Sequence, residues 1–359
     1  MRVLHVIHEY DYAEGMGRTI DTLARENGAE NILLCARLKK GSSEMSQTIV
    51  KKRLSTRAVR DVAITTKADV IHFHGGVFSA IFGSLVKING VKKVSTIYGW
   101  PRAPKTLAGL TFKQAWGTPP LNKRVLIGSL VPVRLVAFVL GKTPIVTPDH
   151  SVFSRLSSRG TRVFNYETAT MPAERTAVRN DRDEIVLAVA GRAELTRGAD
   201  VFMGVVASLN ARGVKTRGVI AALPGPHSNQ IAQLAEGRDD IRLIQGVADL
   251  TEIFSESDVV VMPFRADYTT SPPVLVAEEA LACGVPVVTS DVTCMKTAVD
   301  TSCAAVLGSY SVKAYVEAVL SIVSNEELYK QLKDGAKTRP ERAWAKSNVV
   351  EITQRAYDS

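Results

Sequence analysis

Two rhythms of apolar residues alternate along this chain. Short runs of Val, Ile, Leu and Ala predict strands buried on both faces. Between them lie stretches whose apolar positions fall three and four apart, which predict helices with one apolar side. In the first half, strands are predicted at Arg2–His8, Asn31–Ala36, Asp69–His74, Lys93–Tyr98 and Pro144–Pro148. Helices are predicted at Gly15–Glu26, Arg57–Lys67, Val77–Ile88 and from near Ser151. Residues 165–183 are polar, mixed in charge and contain Pro172, and read as a linker. The alternation then resumes. Strands are predicted at Glu184–Ala190, Thr216–Ala222, Ile241–Ile244, Asp258–Pro263 and around Val285–Val288. The helices between them are Arg197–Ala211, Asn229–Ala235, Leu250–Glu256 and 273–282, and 312–357 is helical. Strand–helix alternation implies parallel sheets wrapped by helices. Two such blocks of similar size predict an α/β protein of two Rossmann-like domains facing each other, with a ligand crevice between them.

Length agrees, since 359 residues exceed what one simple core holds. No apolar run reaches the roughly 18 residues that span a bilayer. The opening Met1-Arg2-Val3-Leu4-His5-Val6-Ile7 reads as a strand and lacks the pattern of a signal peptide. Cys35, Cys283, Cys294 and Cys303 show neither CxxC spacing nor a metal-ligand pattern, so a reducing, cytoplasmic setting is expected. The net charge of +9 is uneven. Residues 1–172 hold 25 Lys/Arg and 11 Asp/Glu, a balance of +14, and the remainder carries −5. The first half is therefore expected to attract an anionic partner, such as a membrane surface or an anionic acceptor. Nucleic acid is disfavoured, because the basic residues are not interleaved with aromatics.

One region breaks the rhythm. Residues 99–142 hold five prolines, two tryptophans and the apolar run Val125–Leu140, interrupted by Arg134 and flanked by Lys123, Arg124 and Lys142. It reads either as a helix pair buried in the first domain or as a segment lying on a membrane.

Four motifs carry chemistry. Gly191-Arg192 ends a predicted strand, and Arg197-Gly198 opens the next helix. Two guanidinium groups beside the free N–H groups of a helix start suit a diphosphate. Glu14-Gly15-Met16-Gly17 follows the first strand, and a glycine there lets backbone approach a phosphate or sugar closely. It is not the dinucleotide fingerprint, because the third glycine is missing. His72 and His74 share one face of a strand. They do not make a zinc site without a third ligand nearby. Glu278 and Glu279 interrupt an otherwise apolar helix that Gly284 ends and Pro286 keeps from restarting. A carboxylate there is costly unless hydrogen-bonded, and a ligand bearing hydroxyls would satisfy it.

In this order the motifs resemble the retaining GT-B enzymes of glycosyltransferase family 4, which move a sugar from a nucleotide diphosphate donor to an acceptor hydroxyl. The resemblance implies that Gly15 closes over the donor phosphate, and that Gly191, Arg192 and Arg197 hold the diphosphate, with Arg197 in place of the family's lysine. It implies that Glu279 grips the ribose, with Leu275 and Val276 beside the nucleotide and Thr270 and Ser271 in a hydroxyl-rich loop near the sugar. It places His74 by the acceptor and Tyr98 where relatives carry a histidine beside the reacting sugar. No metal or other cofactor is implied, because the leaving diphosphate itself helps to deprotonate the acceptor. Tyr98 and Ser271, the latter where relatives often have glutamate, are the two departures, and they bear on donor choice. The implied organisation is an acceptor domain over 1–168, a linker over 169–183, a donor domain over 184–340 and a helix over 341–359 returning to the first domain, with Trp344 placed to anchor it. A glycan, lipid-linked or protein acceptor is expected, with peripheral contact to an anionic membrane. A sugar-nucleotide epimerase and a non-catalytic nucleotide- or partner-binding subunit are the alternatives.

Overall fold

The structure is a computed structural model that describes residues 1–11, 15–42, 44–100, 110–112, 116, 127–167, 183–246, 249–265, 274–346 and 348–359. In the first domain the elements are β1 (Arg2–Tyr10), α1 (Gly15–Glu26), β2 (Glu30–Leu38), β3 (Gln47–Val50), α2 (Thr56–Thr65), β4 (Val70–Gly75) and α3 (Val77–Leu85). They continue with β5 (Lys92–Ile97), α4 (Val133–Leu140), β6 (Ile145–Thr147), α5 (His150–Ser157) and β7 (Val163–Asn165). The second domain contains β8 (Ile185–Arg192), α6 (Ala199–Ala211), β9 (Thr216–Leu223), α7 (Ser228–Ala235), β10 (Ile241–Gln245), α8 (Leu250–Ser255) and β11 (Val259–Met262). It ends with α9 (Leu275–Ala282), β12 (Val287–Ser290), β13 (Ala304–Leu307), α10 (Val312–Val323) and α11 (Glu326–Lys346), and α12 (Val349–Asp358) follows.

Both sheets are parallel. Their orders are β3-β2-β1-β4-β5-β6-β7 and β10-β9-β8-β11-β12-β13. Strand order reverses between β1 and β4 and between β8 and β11, and open α/β sheets bind ligands beyond the carboxyl ends at such points. Gly15 follows β1 and Gly191-Arg192 closes β8, so both glycine motifs stand there. The strands of the second sheet are packed on both faces, and Val186–Ala190 is buried throughout.

Three strands go beyond the sequence prediction. β3 is a largely exposed edge strand paired with β2, and its polar residues conceal it. β7 has three half-buried residues that extend the first sheet into the stretch read as linker. β13 is built from small residues beside β12. The predicted helix 312–357 is three helices, and Asn348 caps the last by accepting from Glu351 N at 2.8 Å.

That last helix packs on the first domain. Val349, Ile352, Ala356 and Tyr357 cluster with Val3, Leu23, Val70, Val94 and Val146. The side chain of Trp344 lies outside the described residues.

Tyr357 also completes a polar network in the heart of the first sheet. His72 Nδ1 lies 2.8 Å from its hydroxyl, and His72 Nε2 lies 2.7 Å from Thr96 Oγ1. His5, on β1, contacts His74 Nε2 at 3.0 Å and Asn31 Oδ1 at 2.9 Å, and His74 Nδ1 reaches the Tyr98 hydroxyl at 3.2 Å. All of these side chains are buried. Buried polar groups persist in a core only when hydrogen-bonded, and all six ring nitrogens of this trio have partners. His5 is thus a third imidazole beside His72 and His74, near enough for the three to share an ion. The hydrogen bonds they make to one another and to hydroxyls satisfy them as a structural network.

Burial holds the imidazoles neutral. It lowers the pKa of His5 to about 4, with Asn31 partly offsetting, and holds His72 and His74 well below the usual histidine value, helped by the neighbouring imidazoles. The unfolded chain therefore takes up protons below the ordinary histidine value while the native state does not. Stability is full above about pH 6.5 and falls as pH drops toward 4, with a slope of up to about 1.4 kcal/mol per pH unit for each histidine. Urea unfolding at pH 7 and pH 5 will show the lower value at pH 5, and His5→Gln will flatten the dependence. Equal stability at both pH values would contradict a neutral buried trio.

Candidate functional site

The carboxyl end of β8 turns sharply. Gly191 has φ +138°, and a Cβ there would come within 2.7 Å of Arg197 Nη1, so the missing side chain is what lets the Arg197 guanidinium lie over the strand end. A single turn of 3-10 helix, Leu195–Arg197, leads to Gly198 at φ +76°. A Cβ on Gly198 would meet the Pro263 carbonyl oxygen at 2.2 Å. The predicted helix start at Arg197 thus moves to Ala199, because Gly198 is left-handed. Arg197 remains in the turn, where its side chain faces the strand ends.

Neighbouring loops fix this turn on two sides. Arg265 N donates to Thr196 O at 2.9 Å. The Arg265 guanidinium donates to both Asp200 oxygens, at 2.9 and 2.6 Å, and to Leu195 O at 3.1 Å. On the other side His227 N donates to Ala193 O at 3.0 Å, and Leu195 N donates to His227 Nδ1 at 3.3 Å.

Arg197 lies within the turn, its guanidinium 5.9 Å from the centre of the Phe264 ring. Its Nε stands 3.7 Å from Glu194 Oε2, close enough for charge attraction but too far for a hydrogen bond. Neither atom has a hydrogen-bond partner among the described residues. Burial lowers the Arg197 pKa, opposed by Glu194. Burial raises that of Glu194, opposed by Arg197, Arg192 and His227. Glu194 is absent from the sequence prediction. Its signal is an acid lying between two arginines in a turn, which looks like a solvated surface pattern until burial is known.

Two more acids of the second domain stand on α9. Glu278 is buried, and Glu279 is mostly covered, with burial raising its pKa and Arg18 opposing that rise. Glu279 Oε1 pairs with Arg18 Nη1, from α1 of the other domain. Arg18 is the second residue that sequence reasoning missed, since its partner lies 261 positions away. A second attraction crosses the crevice. The charge of Arg192 helps to hold the Glu9 carboxyl below its usual range, after the larger effect of Lys39, which lies 2.6 Å from Glu9.

Of the expected site residues, Gly15, Gly191, Arg192, Arg197 and Glu279 are brought to the strand ends and helix starts that face the crevice. Leu275 and Val276 open α9, half-buried. Thr270 and Ser271 lie outside the described residues. His74 and Tyr98 sit inside the first domain, 1% and 2% exposed. Burial raises the Tyr98 pKa, partly offset by a hydrogen bond with Thr19, so the phenol stays protonated. In this arrangement both side chains are almost wholly withdrawn from solvent.

Comparison with solved structures places the architecture. HepE of Anabaena, in complex with UDP and glucose, superposes with a TM-score of 0.71 at 11% identity, covering 100% of this chain and 98% of that one. Sucrose-phosphate synthase of Thermosynechococcus elongatus gives 0.67 at 14% identity, covering 99% and 96%. WaaG, a glycosyltransferase involved in lipopolysaccharide biosynthesis, gives 0.63 at 15%, covering 99% and 98%.

The fold is GT-B.

Within this GT-B chain, residues 171–339 match the family model described as Glycosyl transferases group 1, which supports a place in that family. D-inositol 3-phosphate glycosyltransferase of Saccharomonospora viridis is 28% identical over 208 residues, covering 54% of this chain and 47% of the relative. The match thus spans about half the length of that curated relative.

Gly198 anchors the turn, so Gly198→Ala combines strained backbone with a clash against Pro263. A destabilisation of about 2–4 kcal/mol is expected in urea unfolding. A loss below about 0.5 kcal/mol would mean that the turn relaxes freely.

Proposed function

We propose that the protein is a retaining GT-B glycosyltransferase of the family 4 type, moving a sugar from a UDP- or GDP-linked donor to an acceptor hydroxyl. The observation that carries this reading is the Arg192–Glu194–Arg197 turn at the switch point of the second sheet. The Arg197 guanidinium lies over the bare Gly191 at the strand end with its side chain 17% exposed, and a guanidinium so placed is suited to a diphosphate that enters and leaves. Glu279, on α9 of the same domain, suits the ribose hydroxyls, as a carboxylate that accepts from paired O–H groups.

In the proposed reaction the bond between the anomeric carbon and the donor phosphate oxygen breaks. A new bond forms to the acceptor oxygen on the same face, and the acceptor proton passes to the departing phosphate. Arg192 and Arg197 stabilise the charge that develops on that oxygen. No protein nucleophile and no metal enter this scheme. The acceptor side belongs to the basic first domain, which favours an anionic or membrane-presented acceptor on the cytoplasmic side. The four buried free cysteines are compatible with that setting. Among the described residues no helix is long and apolar enough to cross a membrane.

A panel of UDP- and GDP-sugars, read by nucleotide release and by transfer, tests the reading. Arg192→Ala is expected to lower turnover by about 10²–10³-fold, with an unchanged circular dichroism spectrum. Unaltered turnover in that variant would remove the assignment. Nucleotide binding with neither hydrolysis nor transfer across the panel would favour a non-catalytic subunit.

The pair between Arg18 and Glu279 adds a second expectation. Arg18 already occupies Glu279 Oε1, so ribose hydroxyls at that oxygen compete with it. Arg18→Ala removes the competitor and should tighten UDP binding roughly two- to fivefold, the range for a partly exposed pair of about 0.5–1 kcal/mol. Calorimetric titration reads this directly, and weaker binding would instead make Arg18 a ligand of the nucleotide.

A further inference from the structure

We propose that a lysine-lined cleft on the first domain, at the end of the sheet away from the crevice, seats the phosphate of an anionic lipid headgroup while α4 dips its outer face into the bilayer. The cleft of about 440 Å³ is lined by Lys92, Lys93, Lys142, Ser84, Leu140 and Pro144, among others. Lys92 and Lys93 begin β5, and Pro144 precedes β6, so the cleft opens at the amino ends of these strands.

The ammonium groups are held in place. Lys92 Nζ donates to Tyr357 O at 2.8 Å, and Lys93 Nζ donates to Ser84 O and Val86 O at 3.2 and 3.0 Å. An ammonium has three donors, so both keep at least one for an anion. Burial and the nearby Lys87 charge lower the Lys93 pKa, a strain that an anion in the cleft relieves. Among the described residues no side-chain carboxylate lines the cleft, and Ser359, whose terminal oxygen accepts from Arg162 Nη1 at 2.8 Å, lines it too.

Beside it stands an unusual helix. On α4, Val136 and Leu140 are buried against the α3 side, in the cluster that holds Ala80 and Trp100. Leu135 and Phe138 point the other way, 53% and 83% exposed, and Leu130 just before the helix is 82% exposed. Arg134 lies exposed between them. Large apolar side chains this far into water, contiguous on one face, mark an interaction surface. A bilayer is the occupant whose chemistry matches both halves. Its acyl region takes Leu130, Leu135 and Phe138, and its anionic headgroups take the lysines and Arg134. A single apolar signal binds membranes only marginally, and an apolar wedge with a basic cluster supplies two.

This inference deepens the membrane part of the proposed function, and its test uses the full chain with no donor present. A failed transferase assay therefore leaves it standing, and a failed vesicle assay leaves the transferase reading intact. The experiment is co-sedimentation with phosphatidylcholine vesicles, with and without phosphatidylglycerol. Binding is expected to the anionic vesicles and to weaken as salt rises. Lys142→Glu should weaken it roughly fivefold or more, while Lys142→Arg keeps it. Leu135→Ser combined with Phe138→Ser should lower it at least tenfold, and these exposed positions leave folding unchanged. No binding to anionic vesicles, or equal binding by the double variant, would overturn the proposal. So would self-association without vesicles that the double variant abolishes, which would make the face a protein interface. Thermal stabilisation by inorganic phosphate without vesicle binding would assign the cleft to a free anion and also overturn it.

Discussion

Covering a guanidinium from water demands a compensating charge, and the second domain is arranged around meeting that demand only in part. Arg197 lies over the bare backbone of Gly191, and its Nε faces the buried Glu194 at 3.7 Å. Attraction at this distance opposes the effect of burial on both groups, yet it leaves Arg197 Nε and Glu194 Oε2 without a hydrogen-bond partner among the described residues. Gly198 must be left-handed and bare for the turn to sit against Pro263. Arg265 then binds that turn to the start of α6 through Asp200. The site is rigid because its scaffold is over-determined, and receptive because its central charge is under-coordinated.

The two domains divide the work along electrostatic lines. The first carries the excess of positive charge and the second a modest negative balance. Across the crevice the pattern is finer, with Arg18 of the first domain facing Glu279 of the second and Arg192 of the second acting on Glu9 of the first. Each domain thus presents one acid and one base to the other. A ligand that engages Glu279 meets a carboxylate already paired with Arg18, and its affinity reflects that exchange as well as its own contacts.

Much of the fold was legible because parallel strands buried on both faces leave unbroken apolar runs, as at Val186–Ala190 and Val259–Met262. The strands beyond the prediction are short or exposed: β3 is solvated, β7 has three half-buried residues, and β13 is four residues, Ala304–Leu307, at the sheet edge. At the site, Gly191-Arg192 and Arg197-Gly198 were readable because their spacing is local. Arg18, Glu194 and His5 were not, because each acquires meaning from a partner or a degree of burial that only the assembled chain supplies. The histidines teach the same lesson in reverse. His72 and His74 look like chemistry on a strand, and the folded protein commits their six-nitrogen trio with His5 to internal hydrogen bonds.

The return of α12 to the first sheet has a consequence for how the protein is made. Tyr357 supplies the hydroxyl opposite His72, and Val349, Ile352 and Ala356 fill a cluster with Val3, Val70 and Val146. The first domain therefore leaves the ribosome before the second and is completed after it. Until residues 349–358 have been synthesised, Val3, Val70, Val94 and Val146 lack part of their cover and a histidine lacks its partner. The second domain, whose strands and packing helices are contiguous in sequence, can close beforehand. Order of synthesis and order of completion run opposite to each other.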